Sequence, residues 1–122
     1  MAQLVIDGDD LVVELSTLEK LGALHGDVRV PLRAVRNVRA SVTPYREVRG
    51  IRAPGTGWPR RIAIGTWRYR GGKDFACITG RQPAVVVELD DTAAPYGRLV
   101  VGSPTPDDDA RRIAAALPVR RP

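Results

Sequence analysis

Cysteine, histidine and lysine are nearly missing from this chain. Cys77 is the only cysteine, so no disulfide can form within the chain and no cysteine-based zinc cluster can be assembled. Set between Ala76 and Ile78 in an expected strand, it reads as a small buried hydrophobe. His25 is the only histidine; it falls between Leu24 and Gly26 in an expected loop and has no second imidazole to share a metal with. Aromatic residues make up only 5% of the chain, which leaves little material for a stacking surface. No apolar run approaches the roughly 20 residues that a membrane-spanning helix requires, so integral membrane association is not expected. The opening Met1-Ala2-Gln3-Leu4 has neither a basic start nor an apolar signal core. Together these readings lead to the expectation of a cytoplasmic protein.

What is present is arginine, with seventeen against two lysines, unevenly distributed. Residues 28–73 hold eleven arginines and Lys73 against Glu47 alone, a net charge of +11. The remainder carries seven basic and thirteen acidic side chains, a net charge of −6. A basic segment on an acidic chain points either to an anionic partner or to internal charge matching. An excess of Arg over Lys also arises from GC-rich coding, independently of any ligand.

With 122 residues, the chain has the length of one domain, 1–122. Leu4-Val5-Ile6 and Leu11–Leu15 flank Asp7-Gly8-Asp9-Asp10, the pattern of a hairpin. Ser16 precedes Glu19 by three, the spacing of a capping box, with Leu18, Leu21 and Leu24 following at near-helical spacing. A short helix is predicted over 16–22. Val28, Val30 and Leu32 alternate with polar residues, and even positions continue through Val38, Ala40 and Val42 with a break near Pro31. Arg29, Arg33, Arg36 and Arg39 then fall on the outer side, as a solvated face or as partners for Glu14, Glu88 and the acidic tail. Thr43-Pro44 predicts a helix start over 44–49, and Ile51–Pro59, rich in Gly and Pro, reads as an irregular loop.

Arg61–Tyr69 predicts a strand that changes phase at Gly65. Gly71-Gly72 reads as a two-residue turn leading into Lys73–Thr79. Ala84–Leu89 and Tyr96–Val101 complete the strands. Thr105-Pro106 followed by Asp107-Asp108-Asp109 is a strong helix start, with Ala110, Ile113, Ala114 and Leu117 as its apolar stripe and Pro118 as its stop.

The fold expected from this order is mostly β (α+β): a small bent β-barrel or orthogonal sandwich of about seven strands, capped by a C-terminal α-helix. The stretches Val30–Val35, Arg52–Gly57, Gly65–Tyr69 with Gly71-Gly72-Lys73, and Arg98–Val101 resemble bacterial pleckstrin-homology-like (PH-like) domains, closest to an uncharacterised actinobacterial group. The resemblance implies a seven-stranded bent barrel plugged by its last helix, with no catalytic residue to carry over. It implies binding of phosphoinositides, peptides or proteins in the wider superfamily, although the acidic first turn Asp7–Asp10 does not match a basic lipid site.

The candidate functional surface is a basic-aromatic cluster: Trp58, Arg60, Arg61, Trp67, Arg68, Arg70 and Lys73. Guanidinium forks bind phosphate or carboxylate, and indole faces stack on bases or on Arg. With the turn at Gly71-Gly72, Arg70 faces Lys73 and Arg68 faces Phe75. The other reading is that these are solvated hairpin arginines with Trp58 and Trp67 in packing roles. Gly55-Thr56-Gly57 has too little of a P-loop to hold a nucleotide and reads as a tight turn. The carboxylates at Asp90-Asp91 and Asp107–Asp109 are explained by a turn and a helix start. No catalytic residue, metal site or cofactor is expected, and the chain reads as non-enzymatic. Two functions stay open: a module that binds a protein or peptide, or itself, and a binder of an anionic ligand (nucleic acid, phosphorylated molecule or headgroup) through 28–73.

Overall fold

The acidic turn at Asp7–Asp10 folds as its composition predicts in a computed structural model that describes residues 2–23, 26–58 and 62–118, with side chains described outside 21–23 and 51–58. Strand β1 (Gln3–Asp7) pairs antiparallel with β2 (Asp10–Glu14), Asp7 opposite Asp10, and Gly8 takes the positive φ of 59° that the turn needs. The capping box forms as well. Ser16 Oγ accepts the Glu19 N–H at 3.2 Å and Glu19 Oε1 accepts the Ser16 N–H at 2.8 Å, opening α1 (Thr17–Ala23). Leu18 is 80% exposed, so it does not belong to an apolar stripe on this helix. Strand β3 (Val28–Pro31) pairs with β2 and completes a sheet ordered β1-β2-β3.

Pro31 marks the point where the chain leaves this sheet. A 3-10 turn at Leu32–Ala34 delivers it to β4 (Val35–Ser41), the edge of a second sheet. The chain then runs through α2 (Pro44–Glu47), β5 (Ile51–Trp58), β6 (Ile62–Tyr69), β7 (Gly72–Thr79), β8 (Ala84–Leu89) and β9 (Arg98–Gly102) to α3 (Pro106–Ala116). The six strands lie in the order β4-β8-β9-β7-β6-β5. All their pairings are antiparallel except β7–β9, because β9 inserts between β7 and β8.

The mostly-β class with a C-terminal helix is therefore as expected, but the barrel is not. The described residues form nine strands rather than about seven, in two sheets that are not closed on one another. The sheets meet through side chains instead of a shared ladder of hydrogen bonds. The expected loop at 51–59 is also largely strand. As the last strand of the order, β5 has one neighbour in the sheet, and its register skips between Arg52 and Gly55. A bulge at an edge is where Ala53-Pro54 costs no ladder hydrogen bond.

The six-stranded sheet is apolar on both faces, which explains the near-continuous apolar run of β8. Its inner face presents Val35, Ile64, Phe75, Cys77, Val85, Val87, Leu99 and Val101 to Leu4, Leu11, Val13, Val28 and Val30 of the small sheet. Ile113 of α3 is fully buried in the same core, with Ala116 and Leu117 packed on it, whereas Ala114 is exposed. The outer face carries Ala63, Ala76, Ile78, Ala84, Val86 and Val100, with Tyr45, Val48 and Trp67 packed against them. The β6–β7 register is unbroken from Ile62↔Thr79 to Tyr69↔Gly72. The apparent phase change at Gly65 is thus no bulge in β6: Ile62 and Ile64 serve the inner core, and Trp67 serves the outer one.

Candidate anion-binding cleft

The predicted basic-aromatic cluster does not assemble on one surface. Arg68 lies directly opposite Lys73, and the two-residue turn is Arg70-Gly71 rather than Gly71-Gly72, with Gly71 at φ 94°. At Gly72 a Cβ would sit 3.1 Å from the Tyr69 hydroxyl, closer than an ordinary contact. Strand alternation then divides the set. Trp67 packs half-buried on the outer face, Arg68 and Lys73 take the opposite parity, and Arg70 is exposed at the tip. Lys73 Nζ lies 5.1 Å from the centre of the Tyr96 ring, and that ring meets Phe75 edge-on at 5.8 Å. Arg60, Arg61 and His25 lie outside the described residues, as do the side chains of Trp58 and of Gly55-Thr56-Gly57.

Much of the arginine excess is matched internally. Directly paired positions share a face, so Glu88, Arg98, Asp74 and Trp67 form a row across four neighbouring strands of the outer face. Arg98 Nη2 donates to Glu88 at 2.5 Å, and its Nη1 donates to the Glu47 carbonyl at 2.7 Å. The segment that follows β4 folds over this row and adds charges of its own. Glu47 takes a bidentate Arg39 fork at 2.8 Å on both oxygens and the Ser41 hydroxyl at 2.9 Å. The Arg39 fork holds the Glu47 carboxyl at about 2, against its ordinary 4.5. Arg49 binds the fully buried Asp74 through Nε at 2.9 Å and Nη2 at 2.8 Å, and Tyr69 Oη donates to the same carboxylate at 3.0 Å. Elsewhere Arg29 pairs with Asp7 and Asp10, and Arg36 with Asp90. Of the partners expected for these arginines, only Glu88 is used, by Arg39 at 4.0 Å.

Two other arginines meet in a cleft instead. α2 and the turn between β7 and β8 bound a depression of about 1230 Å³ lined by Val42–Arg46, Ile62 and Thr79–Gln82. Arg46 comes from α2 and Arg81 from the turn, and both are exposed. No Asp or Glu lines the cleft among the described residues, and neither arginine has a carboxylate within ion-pair distance there. Tyr45 Oη donates to the Gly80 carbonyl at 2.7 Å and ties the two walls together. Burial of the Tyr45 ring raises its phenol above the ordinary range, so this donor persists well into alkaline solution.

Sequence reading included Arg46 only within the broad basic segment 28–73 and passed over Arg81, because one lies in α2 and the other in a distant turn. The Thr43-Pro44 signal marked the start of α2, but nothing local joins two segments 35 residues apart.

The fold and the cleft define a mixed α+β domain with an arginine-lined depression at one end of its larger sheet. No family model, curated protein or solved structure matches the chain. No helix among the described residues is long and apolar enough to cross a membrane.

Proposed function

We propose that this domain is a non-enzymatic interaction module and that it recognises an anionic group in the cleft between α2 and the β7–β8 turn. One observation carries this reading: Arg46 and Arg81 line a cleft that no described acid shares, whereas Arg29, Arg36, Arg39, Arg49 and Arg98 all hold carboxylates. A guanidinium with no internal partner retains its fork of donors for a carboxylate or phosphate. The non-enzymatic part is supported by Cys77, the one cysteine, which is buried and donates its thiol to Glu19 at 3.1 Å.

Kinship with bacterial PH-like domains, and with their actinobacterial group, belongs to the same proposal. It is supported by the β-rich order ending in a packed helix. The open sheets and the parallel β7–β9 pair set this chain apart from the closed barrel that the resemblance implied.

The test is calorimetric titration with two polyanions, a short glutamate-rich peptide and an oligothymidylate, over a series of salt concentrations. At least one should bind, with affinity that falls as salt rises and is lost in the Arg46→Glu/Arg81→Glu double variant. Binding of neither, or binding that the double variant leaves unchanged, overturns the proposal.

A further inference from the structure

We infer that the cleft's ligand is an acidic peptide segment carrying an aliphatic side chain, rather than a nucleic acid; this inference rests on the anion-binding reading above. Only two large hydrophobic residues are strongly exposed among the described residues, Leu18 and Val42. Val42 is 89% exposed and stands on the cleft wall next to Thr43 and Pro44, with half-buried Ile62 also lining the cleft. The charged and apolar parts of the surface therefore adjoin. Arg46 and Arg81 complement carboxylates, and exposed Val42 with half-buried Ile62 offers a branched aliphatic surface to a side chain lying between them.

A nucleic acid requires different features. Single strands bind by stacking bases on open aromatic faces and by tracking several phosphates. Tyr45 is the one aromatic among the described lining residues. Its ring packs against the outer-face core while its hydroxyl is held by Gly80, so it is committed to the fold on both counts. Two arginines from separate elements suit two carboxylates along a peptide better than a continuous phosphate track. The aliphatic rim would meet only sugar and phosphate on a nucleic acid strand.

The experiment compares three probes on the whole chain: a Glu-Val-Glu-Glu-Val-Glu peptide, its Glu-Ser-Glu-Glu-Ser-Glu counterpart of equal charge, and an oligothymidylate. The valine peptide should bind about three- to ten-fold more tightly than the serine peptide. Val42→Ser should erase most of that difference and leave thermal stability unchanged, since so exposed a side chain contributes little to the core. Equal binding of the two peptides overturns the inference, as does tighter binding of oligothymidylate through Arg46 and Arg81. In either case the anion reading survives. Binding of none of the three overturns both.

Discussion

Arg49 grips the buried carboxylate of Asp74 with both of its side-chain donors on one side, and the Arg49 backbone N–H adds a third contact at 3.2 Å. The guanidinium also lies 4.6 Å from the centre of the Tyr69 ring. Close approach of Tyr69 to Asp74 depends on Gly97, where a Cβ would meet the Tyr69 hydroxyl at 2.5 Å. The segment after α2 is fastened to the large sheet at this point.

Arg49→Ala should therefore be costly although Arg49 itself is partly exposed. It leaves Asp74 buried with Tyr69 as its remaining side-chain donor, an imbalance worth about 2–4 kcal/mol. Arg49→Lys should recover only part of the loss, because an ammonium cannot reproduce the fork. Urea denaturation of the three proteins measures both effects.

Glu47 gives the domain a predictable acid sensitivity. Its folded-state value near 2 lies below the ordinary 4.5, so its contribution is fully present above pH 4.5 and is lost as pH falls toward about 2. At neutral pH, Glu47→Gln should cost about 3 kcal/mol. The gap between wild type and variant should close across that acid window. Denaturation midpoints measured at a series of pH values test this, and a gap that stays constant down to the lower limit contradicts it.

Glu19 likewise contributes stability that is lost on acidification below its ordinary 4.5. Burial pushes its carboxyl up, but hydrogen bonds from the Ser16 backbone and the Cys77 thiol outweigh this and leave it lowered. For Cys77 the same contact works the other way, since burial first and then the neighbouring carboxylate push the thiol far up. Native protein should accordingly resist a thiol-reactive disulfide reagent at mildly alkaline pH and take up one equivalent only in concentrated guanidinium chloride.

Two glycines with similar φ should respond differently to alanine. Gly71 at φ 94° has open space where a Cβ would go, so Gly71→Ala should cost only backbone strain of about 1–2 kcal/mol. Gly50 at φ 90° would place its Cβ 2.2 Å from the Arg68 carbonyl oxygen. Gly50→Ala should destabilise by at least about 2 kcal/mol more, because backbone must move. Paired thermal melts decide the point.

Local chemistry made parts of this protein legible. The Asp7–Asp10 hairpin, the Ser16–Glu19 capping box, the turn at Thr43-Pro44 and the helix opened by Thr105-Pro106 are fixed within a few residues, and each formed close to where its pattern placed it. The Arg-rich segment was equally visible, but its meaning was not. Whether an arginine faces a carboxylate or a cleft depends on which strand becomes its neighbour, and β9 reaches its place between β7 and β8 only through long-range packing.

Sequence by itself thus determined most of the elements and the charge imbalance, because capping, alternation and turn conformation act over a few residues, whereas β5, locally rich in Gly and Pro, was not legible as a strand. Tertiary structure alone decided that the sheets stay open and that Arg39, Arg49 and Arg98 are consumed internally. It alone brought Arg46 and Arg81 to one cleft, because Coulomb pairing and burial depend on distances in space that the order of residues does not contain.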